Sequence, residues 1–185
     1  MILTVTHDDA WFPVLGVDHR GDVAVTRPVP PPNVLDAFWS TMHEQGSAAG
    51  FLLLDPAGTP ITWARLHVDP VAPPDTGERL EEAFSTHDLA VTSTTVDTVI
   101  TLLGPARRLT HLRLVERTQA ARDEPRVTVW QHVLWTWSLT SDSDSHSHSH
   151  PTLVALSSEC PSPHPAVDVV PLVDDLALGL RRGAD

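Results

Sequence analysis

The sequence predicts an α+β domain: a single, mainly antiparallel sheet of about six to seven strands, with two or three helices packed mainly on one face. Three observations carry this. Apolar residues alternate with a period of two in several runs, most clearly between Val127 and Leu139. Neighbouring strand runs are joined by short turn-forming segments, which make sequential strands antiparallel. Only a few segments space their apolar residues as a helix would. At 185 residues the chain is long enough for one domain with a self-sufficient core, so residues 1–185 are read as one unit.

Taken in order, residues 14–27 are expected to form a hairpin. Val14, Leu15 and Val17 lead into the turn His19-Arg20-Gly21-Asp22, and Val23 and Val25 return. Pro28 to Pro32 make a stiff connector. Asn33 is expected to cap a helix, with Asp36 three residues on, whose apolar face is Val34, Leu35, Phe38, Trp39 and Met42 and whose stop is Gly46. A strand over residues 50–55 and its partner over 61–68 flank the turn Pro56-Ala57-Gly58-Thr59. After a Pro-rich loop, Asp75 with Glu78 is expected to cap a short helix carrying Leu80, Ala83 and Phe84.

Residues 89–103 fit two patterns, β-branched strand and helix, and are read as a short strand followed by a helix ending at Gly104-Pro105. Residues 107–117 and 126–140 are strands. On the second, Val127, Val129, Val133, Trp135, Trp137 and Leu139 share a face interrupted only by Gln131, and Trp130, His132 and Thr136 lie opposite. The Ser/Asp/His run over residues 140–150 is expected to be a flexible hairpin loop, and Thr152 to Ser158 the returning strand. A final helix is expected over 166–182, with Val169, Val170, Val173, Leu176 and Leu180 buried, Asp168 at its positive end and Arg181 and Arg182 at its negative end.

Charge and composition exclude several functions. The net charge of −12 disfavours nucleic acid and anionic membranes as partners. Every fixed side-chain cation is Arg, with no Lys in the chain, which fits a G+C-rich coding sequence and carries no functional meaning. The single cysteine, Cys160, excludes an internal disulfide and a multi-cysteine zinc site. The N-terminal residues lack the basic and apolar regions of a secretory signal, and no run approaches the length of a membrane span, so a cytoplasmic location is expected. The motifs of nucleotide-binding loops, serine hydrolases and zinc proteases are absent, and no cofactor is expected.

Several residues remain as candidates. Arg107, His111, Arg113 and Arg117 alternate onto one face of the strand over 107–117, where planar guanidinium groups suit carboxylate or phosphate. The alternative is a solvated sheet face that balances the acids of residues 69–88. Trp130 and His132 add an aromatic anchor and an imidazole to this candidate partner surface. His146, His148 and His150 alternate as ligands of a weak metal site would, although a solvated linker has the same composition. Cys160 and His164 are spaced for a thiolate–imidazolium pair but are separated by two prolines, so a turn-region thiol is the expectation. Arg20-Gly21-Asp22 matches an integrin-binding tripeptide, yet turn geometry alone accounts for it.

The run Val127 to Leu139, the strand Thr152-Leu153-Val154-Ala155-Leu156-Ser157 and the helix from Val169 to Leu180 together resemble the closing β–β–α unit of Mog1/PsbP-like domains. The resemblance covers the last third of the chain. It implies an adaptor, chaperone-like or assembly role without catalysis, in which the chain engages a protein partner, possibly an acidic one. Two alternatives stand beside it. One is an enzyme using His67, His111 or His132 as acid or base. The other is a subunit of an assembly in which the acidic segment of one copy meets the Arg strip of the next.

Overall fold

A computed structural model describes residues 3–5, 11–15, 29–73, 75–86, 91–117, 126–140, 151–162 and 168–183. Its strands are β1 (Leu3–Val5), β2 (Trp11–Leu15), β3 (Ala49–Leu54), β4 (Pro60–Asp69), β5 (Val91–Thr101), β6 (Gly104–Arg117), β7 (Arg126–Leu139), β8 (Thr152–Ser162) and β9 (Leu180–Arg182). The helices are α1 (Pro32–Glu44), α2 (Thr76–Thr86) and α3 (Val169–Leu178). Seven strands form one antiparallel sheet in the order β2-β3-β4-β8-β7-β6-β5, and β1 pairs with β9 in a separate ribbon. The fold is therefore α+β, as the sequence predicts.

The pleat sorts the side chains onto two faces. One face carries Phe51, Leu53, Ala64, Leu66, Val133, Trp135, Trp137, Val154 and Leu156, and α3 lies against it through Val169, Val173, Leu176 and Ala177. The other face carries two helices. Phe38 and Met42 of α1 pack on Leu52 and Leu54. Gly50 lies beneath them because a Cβ there would come within 3.1 Å of Met42 Cγ and 3.2 Å of Phe38 Cε1. α2 is tied to the same face by Glu81, whose carboxylate accepts from Thr136 Oγ1 at 3.4 Å and pairs with Arg107 Nη2 at 2.7 Å.

The surplus of tryptophan is largely structural. Trp11, Trp135 and Trp137 are all buried to within 1% exposure in the larger core. Each indole N–H finds an acceptor: Trp11 donates to the Leu172 carbonyl at 3.2 Å, Trp135 to Asp174 Oδ1 at 3.0 Å and Trp137 to Thr101 Oγ1 at 2.9 Å. These bonds stitch β2 and β7 to α3 and to the end of β5.

Several local expectations are corrected. Asn33 is not the cap of α1. Pro31 is, with its carbonyl accepting from Val34 N and Leu35 N, because Pro32 is preset for the first helical turn and needs no N–H partner. The strand expected from Val14 begins at Trp11 and pairs with β3, whereas residues 16–28 lie outside the described residues. Leu80, expected on the buried face of α2, is 37% exposed.

Residues 91–101 are a single strand, with no helix before Gly104. Gly104 has φ of +127° and closes a tight β5–β6 turn, in which Thr101 Oγ1 donates to the Gly104 carbonyl and accepts from Leu103 N. The final helix is shorter than expected. Asp168 does cap it, accepting from Val170 N, but it ends at Leu178, and Leu180, Arg181 and Arg182 form β9. Cys160 lies within β8, opposite Gln131, and not in a turn. The flexible-loop reading of residues 140–150 falls, from 141 on, outside the described residues. No helix among the described residues is long and apolar enough to cross a membrane.

Candidate functional site

The face that carries α1 and α2 is only partly covered, and a cleft of about 330 Å³ opens beside α2. Its floor comes from alternate residues of neighbouring strands: Leu134 of β7, Leu153, Ala155 and Ser157 of β8, and Arg65 and His67 of β4. Register aligns them, since Arg65 lies opposite Ser157 and His67 opposite Ala155. Thr76 and Leu80 of α2 form the wall. The cleft is of ligand-pocket size, with an apolar floor and a few convergent polar groups.

Arg65 is its fixed cation. Nε donates to Ser157 Oγ at 3.1 Å, Nη1 donates to Gln45 Oε1 at the end of α1, and the guanidinium stacks 5.1 Å from the Trp63 ring. Among the described residues this leaves Nη2 for an incoming acceptor. Burial pushes its pKa down from the ordinary arginine value and Glu159 acts the other way, but an arginine in this setting keeps its charge. Burial also pushes His67 down, and the nearby Arg65 charge adds to it, so the imidazole is neutral at pH 7.

The His67 shift has a measurable sign. The unfolded chain takes up a proton on this residue near the ordinary imidazole value of about 6.5, before the folded protein does. His67 therefore favours the fold fully above that pH. This contribution falls as pH drops from about 6.5 through the lower folded-state value, and then levels. Urea midpoints measured between pH 7.5 and 5 should decline less steeply for His67→Gln than for the parent. Parallel declines would show that the imidazole is as free to charge in the fold as outside it.

The candidates from sequence land as follows. His111 and His132 face each other across β6 and β7, stacked at 4.7 Å between centroids, and are only 3% and 5% exposed. His132 Nδ1 lies 3.8 Å from Glu159 Oε1, and Trp130 tilts against His132 at 6.5 Å. These two imidazoles are interior groups of the folded chain, and Trp130 is half-buried. Arg107 is exposed but engaged with Glu81, one of the acids of residues 69–88. Arg113 pairs with Trp130 in register and Arg117 with Arg126, while the side chains of Arg113 and Arg117 lie outside those described. His146, His148, His150 and His164 also lie outside the described residues, among which no group of three metal-ligating side chains occurs. Cys160 is 2% exposed, and burial raises its thiol, opposed by a hydrogen bond with Thr62, so it is a packing residue and a poor nucleophile.

Sequence reasoning did not single out Arg65 or Ser157. A signal was present: in Trp63-Ala64-Arg65-Leu66-His67 the polar residues alternate with apolar ones within a strand buried on its other face. The chain matches no family model, and no curated protein matches it significantly in sequence.

Proposed function

We propose that this protein is a binding or accessory module that receives an apolar, acidic segment of a protein partner in the cleft beside α2. The observation that carries this reading is Arg65, a cation held in place by Ser157, Gln45 and Trp63 at the margin of the apolar floor formed by Leu134, Leu153 and Ala155. A leucine-like side chain would take the floor, and a carboxylate would accept from Arg65 Nη2. Leu80 at the lip adds exposed apolar surface. The resemblance of the last third of the chain to Mog1/PsbP-like domains supports an adaptor or chaperone-like role. A cytoplasmic setting fits a chain whose single cysteine is a buried thiol.

The probe is a synthetic peptide alternating leucine with aspartate, titrated into the ¹⁵N-labelled protein. Amide shifts should concentrate at Leu80, Leu134, Ala155 and Ser157. Arg65→Gln should weaken binding by about tenfold, the worth of one charge-assisted hydrogen bond. Leu80→Glu, at an exposed site, should weaken it through like-charge repulsion. Shifts that avoid the cleft, or affinity indifferent to both substitutions, would refute the reading.

A further inference from the structure

β5 ends the seven-stranded sheet, and no described strand pairs with its outer edge. It is a hazardous edge by ordinary standards. It runs for 11 residues and contains no Lys, Arg or Pro, with Asp97 as its single charge. Exposed edge strands are usually shortened, charged or interrupted by Pro, because their free N–H and C=O groups recruit another strand. The opposite edge follows that rule: β2 has 5 residues, with Pro13 at its centre. On β5, Val96 is 49% exposed and Ile100 76%, both on the face that bears α2, and Leu102 in the adjoining turn is 75% exposed.

We infer that β5 is a homodimer edge, pairing antiparallel with β5 of a second copy about a two-fold axis at Thr98. An extended strand pairs with the whole row of ladder groups at once, and the strand's own sequence supplies a matching one. In an antiparallel self-pair the numbers of opposed residues have a constant sum. Centring on Thr98 places Val96 opposite Ile100 of the second copy, twice over, and the turn residue Leu102 beside Thr94. Asp97 then faces Val99 of the other copy, and it stays 3.3 Å from its own Arg108. Centring one residue earlier would set Asp97 against Asp97, a like-charge pair that disfavours that register. Centring on Val96 would pair Ile100 with a threonine and lose both Val–Ile contacts. The dimer contact is separate from the cleft, since β6 lies between β5 and β7, the nearest strand that lines it.

The test is sedimentation velocity on the full chain, with and without Val96→Lys and Ile100→Lys, two exposed sites where the fold is retained. The parent should be a dimer at both low and high salt, because the contact is hydrogen-bonded and apolar, and the double variant should be a monomer with an unchanged circular dichroism spectrum. The axis is read by cross-linking. Thr98→Cys should oxidise to a covalent dimer, since directly opposed Cα atoms about 4.5–5.5 Å apart suit a disulfide. Val96→Cys should not, and Cys160 is too buried to compete. A parent that stays monomeric at its highest soluble concentration, or a dimer untouched by the two lysines, would overturn the inference. Cross-linking through position 96 in place of 98 would overturn the register.

Discussion

Replacing Asp174 by Ala should destabilise the protein by about 2–4 kcal/mol, read as a shift in the urea midpoint. One carboxylate serves three donors: Arg108 Nε at 2.8 Å, Arg108 Nη2 at 2.7 Å and Trp135 Nε1 at 3.0 Å. The guanidinium also lies 6.0 Å from the Trp135 ring centroid. The pair is mostly shielded, with side-chain exposures of 20% and 23%, so it is not screened like an ordinary surface ion pair. The hydrogen bond from Arg108 to Asp174 raises the arginine pKa, and the neighbouring Asp97 adds to it. Removing the carboxylate strands a half-desolvated cation and an indole N–H together, and it loosens α3 from β6 and β7. Asp174→Asn keeps an acceptor for Trp135 and should lose roughly half as much. A joint Arg108→Met, Asp174→Leu change should be milder than Asp174→Ala, because the shielded guanidinium goes with its partner and the Asp97 carboxylate left behind is 55% exposed, although the Trp135 N–H still loses its acceptor. A loss below about 0.5 kcal/mol in the single Ala variant would mean that the pair behaves as a surface one.

Trp137→Ala should cost about 3–5 kcal/mol, a large share of the 5–15 kcal/mol that holds a typical domain together. The residue is 0% exposed and stacks on Trp135 with centroids 5.8 Å apart and planes 17° from parallel. Its removal would open a cavity between the middle of the sheet and α3 that neighbouring strands, fixed by their ladders, cannot close. Trp137→Phe separates bulk from the polar contact: it keeps much of the ring and loses the 2.9 Å bond to Thr101, so a loss of about 1–2 kcal/mol is expected. Thr101→Val should cost about 1–3 kcal/mol by stranding the indole N–H in the interior. Near-ultraviolet circular dichroism, sensitive to the stacked indoles, should lose intensity in Trp137→Ala.

Elements whose partners are close in sequence, or whose pattern admits one period, were legible from the chain. β7 is the clearest case: its alternation of Val133, Trp135 and Trp137 with Leu134 and Thr136 cannot be placed on a helix. β5 was misread because Val96, Val99, Ile100 and Leu103 fit helical spacing while the β-branched residues of the same run suit a strand. Pairing with β6, through the turn that Gly104 permits, decides between them. α3 was drawn too long because Leu180 extends its apolar stripe, yet that residue is claimed by β1, from the other end of the chain.

The site divides in the same way. Register sets Arg107 opposite Thr136 and His111 opposite His132, on the face that bears α2, while the side chains of Arg113 and Arg117 lie outside those described. Whether that face is open could not be read from parity, because α2 and the flanking strands arrive from distant segments. Hence His111 and His132 proved interior, Arg107 proved to anchor α2, and the cation that lines the cleft is Arg65 on β4.

By itself the sequence determined the α+β class, the antiparallel pairing, the two faces of β7 and the acidic balance that argues against nucleic acid. Those follow from local periodicity, turn chemistry and net charge, which act over a few residues or over the chain as a sum. Only the tertiary structure decided which face each helix covers, where β5 and β9 take strand form and which polar residues converge on the cleft. Each of those depends on contacts between residues far apart in the chain. Periodicity says that a residue faces a neighbour, and packing alone says which neighbour.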